Sequence, residues 1–332
     1  MGSDGISEAM SALGIDPLYP VFHGTAFARQ VAAMAAKTRF AYYTTAETAA
    51  KILTHQELWL RMPTCMNDQS EVYHGRLAAL EILNEEEGRQ LLGFFNELYP
   101  GIGDELLAKL DENSEFELLA QTYIGCLSEH AMKPEEDLLG RLSMWRAYGG
   151  GSGVALVIKG DPLFTVDSGL NVYSSPVEYL DRDGFRREVQ ALIGRLASNR
   201  ELVSKESREQ LLGWLYQMMT MAMLCVKHPA FEEEREWRLF HSLTEPSPQM
   251  VVEVETIRSV VQPVVKLPLR PGPAGEPTGR SLPEILDKVL IGPTEFPLAT
   301  ATAFVQLLEQ AGVPDAARKV HVTGIPLRQT AR

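Results

Sequence analysis

Strand-forming runs stand at both ends of this chain, and long helical stretches separate them. That order excludes the regular strand–helix alternation of a doubly wound parallel sheet. It argues for one α+β domain with a large helical insertion. Runs rich in β-branched and aromatic residues fall at 39–43, 57–62, 122–127, 153–159, 175–180, 236–242 and 250–255, and a strand–helix–strand unit closes the sequence over 287–325. Residues 1–37 read as an N-terminal helical extension. Residues 38–332 read as a single α+β domain with helical segments at about 72–120 and 183–226. The proline- and glycine-rich stretch 268–283 reads as an irregular surface loop with few buried contacts. The most apolar segment, 214–226, is shorter than the roughly 20 residues a bilayer crossing needs, so it reads as a buried core helix.

Charge narrows the partners. With 31 Lys and Arg against 44 Asp and Glu, the net charge is −13. Strong general binding to duplex nucleic acid is not expected, because each phosphate contact wants a cation. A local basic cleft remains compatible with this balance. The 3 cysteines are far apart and form neither a disulfide framework nor a metal-ligand pair, which fits a reducing cytoplasm. The polar, glycine-rich start has no signal-peptide pattern, and no membrane association is expected.

Several motifs invite chemistry. Thr44 and Glu47 have capping-box spacing at the start of a helix. The run Gly149-Gly150-Gly151-Ser152-Gly153 follows a helix and precedes a strand, the reverse of a phosphate-binding loop, so it reads as a flexible turn. Glu234-Arg235-Glu236-Trp237-Arg238 is the most informative segment. Extended from Glu234, it would put Glu234, Glu236 and Arg238 on one face and Trp237 on the other. The plain reading is an Arg238–Glu236 pair; the functional one is a carboxylate held by a cation at a cleft rim. Tyr148 ends a short helix and could stack on a ring, and Asn67 to Glu71 could cap a helix or contact a ligand. The 7 histidines make no His-x-x-x-His pattern and there is no Gly-x-Ser-x-Gly elbow, so neither a structural zinc nor a serine hydrolase is supported.

In order and spacing, seven blocks resemble a bacterial family known by number, domain-of-unknown-function family 2971. They are Tyr42-Tyr43-Thr44-Thr45, Met66-Asn67-Asp68 with Glu71, Cys126-Leu127-Ser128-Glu129, Met144 to Tyr148 leading to Gly153, Val177-Glu178-Tyr179, Glu234 to Arg238, and Val289 to Pro293. A second resemblance is to the ADP-ribosyltransferase superfamily: an aromatic first strand followed by Thr and a short helix, a middle aromatic, and a late Glu-x-Glu. Tyr42 stands where that superfamily carries His or Arg. The resemblance implies a split, mixed or antiparallel sheet and NAD as substrate, with no metal. It implies catalysis by Glu236, acceptor activation by Glu234, and substrate contacts from Tyr42, Tyr43, Thr44, Asn67, Ser128, Tyr148 and Arg238.

The function expected on this basis is an NAD-dependent ADP-ribosyltransferase or NAD glycohydrolase, cytoplasmic, with an unknown protein or nucleic-acid acceptor, of the kind found among bacterial toxins and stress or phage-defence effectors. A metal-dependent nuclease or phosphodiesterase using Asp68, Glu71, Glu234 and Glu236 is one alternative. A non-enzymatic sensor or partner-binding protein is the other.

Overall fold

The computed structural model describes residues 15–66, 70–112, 119–131, 133–164, 169–257, 259–272 and 275–326. The chain clusters into two compact units. Met1–Ala32, Met62–Thr122 and Ser175–Glu232 form one; Ala33–Arg61, Tyr123–Ser174 and Glu233–Arg332 form the other. Each is assembled from three separated stretches. No composition shift therefore marks the division, and the sequence reads as one domain.

The first unit is helical. Its main helices are Ser70–Leu83, Glu86–Leu98, Ile102–Glu112, Arg182–Ser198 and Arg208–Cys225. Leu91, Phe95, Leu106, Leu196, Leu211 and Leu215 meet in its core. Leu18, Val21 and Phe22, from the segment expected as an N-terminal extension, lie in the same core, where Phe22 stacks on Trp214 with ring centroids 5.2 Å apart. Burying these rings removes apolar surface from water and supplies the main driving force for the unit. A reciprocal cap starts the last helix: Ser207 Oγ accepts from Gln210 N, and Gln210 Oε1 accepts from Ser207 N. Among the described residues, no helix is long and apolar enough to cross a membrane.

The second unit carries a mixed, mostly antiparallel sheet. Its strands are β1 (Arg39–Thr45), β2 (Glu57–Arg61), β3 (Thr122–His130), β4 (Gly153–Lys159) and β5 (Val172–Pro176). A short pair in the helical unit, β6 (Glu178–Tyr179) and β7 (Val226–Lys227), comes next. The sheet continues with β8 (Glu236–Ser242), β9 (Val251–Ile257), β10 (Val260–Pro268), β11 (Leu286–Ile291) and β12 (Val320–Val322). The order along the sheet is β12-β11-β4-β1-β3-β2-β10-β9, with β8 pairing β3 and β5. Neighbours along this path are antiparallel except β11 and β12, which are parallel and joined through the Pro297–Gln310 helix. The broad class, α+β with a mostly antiparallel sheet and many helices, agrees with the sequence.

Local details differ. The cap of the Ala46–His55 helix is Thr45 rather than Thr44, with Thr45 Oγ1 accepting from Thr48 N at 3.3 Å. β1 stays extended two residues longer than expected because Thr44 and Thr45 still pair with Val154 and Gly153. β10 is absent from the expected strands, since Pro263 and Pro268 interrupt its valine run, yet it pairs with both β2 and β9. The 268–283 loop is anchored rather than loose. Leu269 N donates to Gln56 O at 2.7 Å, Leu282 N donates to Leu269 O at 2.8 Å, and Ser281 and Leu282 are buried.

Candidate functional site

Side chains alternate across β1, so Tyr42 and Tyr43 face opposite sides of the sheet. Tyr43 is buried with Ala41, Trp145, Ala155 and Leu290. Its ring meets that of Trp145 edge-on at 4.9 Å. Tyr42 lines an apolar cavity on the other side, together with Leu127 and Leu239. The two tyrosines expected in one binding site are therefore divided by the sheet.

A polar cluster forms on the Tyr43 side, and its centre is Arg141, a residue the sequence did not single out. Gly140 makes the approach possible. It adopts φ 65°, and a Cβ there would lie 2.9 Å from the Trp145 ring and 3.0 Å from Tyr43 Oη. The turn at Gly140 separates the Glu136–Leu139 and Leu142–Tyr148 helices and lets Arg141 N donate to Tyr43 Oη at 3.1 Å. Burial pushes the Tyr43 hydroxyl pKa up, opposed by the Arg141 hydrogen bond and charge. The Arg141 guanidinium is buried. It donates to the carbonyl oxygens of Glu233 and Glu234 and to Ser128 Oγ, and Ser128 Oγ in turn donates to Glu234 O. The carbonyls presented at the end of a short turn are thus satisfied by a cation fixed from across the unit.

Glu234 closes the Pro229–Glu234 turn. Arg235 follows with φ 45°, in the left-handed region, and the strand begins only at Glu236. The expectation that Glu234 extends into the strand and shares a face with Glu236 and Arg238 is corrected by this turn. The reason is the clamp on the Glu233 and Glu234 carbonyls, together with the Arg235 Nη1–Glu136 Oε2 ion pair at 2.9 Å. Half-buried Glu234 meets half-buried Tyr148, whose hydroxyl donates to Glu234 Oε1 at 3.1 Å. Ser143 Oγ donates to Glu233 Oε1 at 2.8 Å in the same neighbourhood.

Glu236 has a different setting. Its side chain and that of Arg238 are 7% and 3% exposed, and Arg238 Nε donates to Glu236 Oε1 at 2.7 Å. Trp237 faces the other way, as alternation requires, and its Nε1 donates to Glu129 Oε1 at 2.6 Å. Thr44 is half-buried in β1. Asn67 and Asp68 lie outside the described residues, as does the side chain of Glu71. Among the described residues, no group of three or more His, Cys, Asp or Glu side chains is placed to hold a metal ion.

The structure thus brings Tyr43, Ser128, Tyr148 and Glu234 together around Arg141, leaves Glu236 with Arg238, and sends Tyr42 to the opposite side. Residues 144–239 match the family described as Protein of unknown function (DUF2971). The DUF2971 match covers Tyr148, the Pro229–Glu234 turn and the start of β8. It is a likeness over that segment, and its description names no activity. No curated protein and no solved structure matches the chain.

Proposed function

We propose that the sheet unit acts on NAD as an ADP-ribosyltransferase or NAD glycohydrolase, on an ADP-ribosyltransferase-like split sheet, with Glu234 as the carboxylate that works on the ribose. One observation carries the reading: an aromatic hydroxyl, Tyr148, and a half-buried carboxylate, Glu234, stand 3.1 Å apart on a clamped turn. The sequence resemblance supplies the chemistry. Cleavage breaks the bond between the ribose carbon and the nicotinamide nitrogen, and the electron pair leaves with nicotinamide. The cation that develops on the ribose is stabilised by a fixed carboxylate nearby. An acceptor hydroxyl or water then bonds to that carbon, and its proton passes to a base or to solvent. Tyr148 orients Glu234 and offers a ring against which nicotinamide can pack. Arg141 and Ser128 are positioning residues, since they hold the Glu234 backbone. Glu236, committed to Arg238, holds the strand.

The test is nicotinamide release from NAD without added metal, with water, protein and nucleic acid as acceptors. Wild type releases nicotinamide. Glu234→Gln slows release on the order of 100-fold or more while its melting temperature stays within about a degree or two. Tyr148→Phe slows it about tenfold. Absence of release by wild type with every acceptor overturns the proposal, as does a Glu234→Gln protein that turns over normally.

A further inference from the structure

The cavity on the Tyr42 side of the sheet has a volume of about 410 Å³. That lies within the roughly 300–1,000 Å³ of small-molecule sites. Protein interiors hold few voids larger than a water, and an empty one costs stability in proportion to its volume. Strand alternation builds the floor. Tyr42 and Leu156 are register partners in β1 and β4, and buried Leu127 of β3 and Leu239 of β8 extend it. The anchored 268–283 stretch adds Leu269 and Leu282 to the wall. The polar side chains of the wall have partners within the protein. Ser174 Oγ donates to Leu163 O, and Thr278 Oγ1 donates to Arg270 O at 3.3 Å. The Tyr173 hydroxyl donates to Glu245 Oε2 at 2.9 Å. Arg280 Nη2 donates to Gln249 Oε1 at 2.7 Å, and both Arg280 and Tyr42 have further contacts in the chain. The register sets Lys159 opposite Arg39, which puts its side chain on the other face of the sheet, where Nζ donates to Glu284 O. Water fills a cavity that is both roomy and polar, and an apolar one stays dry. A charged ligand would give up its hydration here for groups that are already engaged.

We propose that this cavity binds a neutral, hydrocarbon-like small molecule, held against Tyr42, Leu127, Leu156 and Leu239. An engineered apolar cavity of about 150 Å³ takes benzene, so by proportion this one has room for about 16 carbons. The site lies on the face of the sheet opposite the Tyr43–Arg141 cluster, so it stands or falls independently of the NAD reaction. Titration of the full chain with naphthalene and with 1-naphthoate at pH 8 tests it, since the two share a ring system and differ in charge. Naphthalene is expected to saturate one site per chain and to raise the melting temperature. The naphthoate anion is expected to bind at least about tenfold more weakly. Isotope-filtered NMR should give nuclear Overhauser contacts from the naphthalene protons to the methyl groups of Leu127, Leu156 and Leu239. Leu239→Trp fills the space and abolishes binding, with a thermal melt as the check on folding. If that variant unfolds, the NMR contacts decide the location alone. No saturable naphthalene binding, naphthoate binding as tightly as naphthalene, contacts to other methyl groups only, or a folded Leu239→Trp protein that binds naphthalene as wild type does would overturn the proposal.

Discussion

Glu234 and Glu236 are two positions apart, and one backbone angle separates their fates. The left-handed Arg235 turns Glu234 toward Tyr148 and starts the strand with Glu236 inside it. A buried ion pair contributes little net stability once desolvation is counted, but breaking one side of it is costly. Glu236→Gln is therefore expected to lower unfolding stability by about 1–3 kcal/mol, because Arg238 keeps a neutral partner in place of a charged one. The Glu236→Gln, Arg238→Met double variant should recover much of that loss in urea melts, since no lone charge stays buried. The Arg238–Glu236 pairing was legible in the sequence, because i and i+2 share a strand face. The turn at Arg235 was not. Arginine is no marker of positive φ, and what imposes the turn is Arg141, 94 positions away and announced only by a glycine before it.

At the level of elements, periodicity exposed the strands whose residues are uninterrupted and hid the one that carries proline. β4 reads plainly as Gly153–Lys159, an almost unbroken apolar run at the centre of the sheet. β10 holds Pro263 opposite Val254 and was lost for that reason, although its other residues are mainly β-branched. Composition misled in the opposite sense over 268–283. Proline and glycine mark an irregular backbone, but they do not say whether the apolar residues among them are anchored. Leu282 is only 1% exposed and opens a capped turn with Ser281 and Glu284. Leu282→Ala is expected to cost about 2–4 kcal/mol in a urea melt. Pro277→Ala, at an exposed position of the same loop, should stay within about 0.5 kcal/mol.

Across the whole molecule, buried titratable groups set opposing responses to pH. Burial, reinforced by Glu188 and opposed by Arg29 and Arg195, raises the Glu178 pKa to about 7. Its neutral form suits the fold, so its contribution is full below about pH 4.5 and is lost as pH rises to about 7. His23 and His130 are pushed down to about 4, chiefly by burial. Their contribution is present above about pH 6.5 and is lost as pH falls to about 4. Glu178→Gln should therefore stabilise the protein at pH 8, on the order of 1–3 kcal/mol, with the gain vanishing near pH 4.5. Melts of both proteins across that range check the sign, and NMR titration of His130 should give an apparent pKa near 4. The interleaved path of the chain has a consequence in time as well. β4 is hydrogen-bonded to β11, which leaves the ribosome roughly 130 residues later. At about 5–20 residues per second, an apolar central strand waits on the order of 6–26 seconds with one edge unpaired. Synthesis of this protein thus includes an interval in which aggregation competes with completion of the sheet, and a chaperone that shields β4 would raise yield without touching the finished fold.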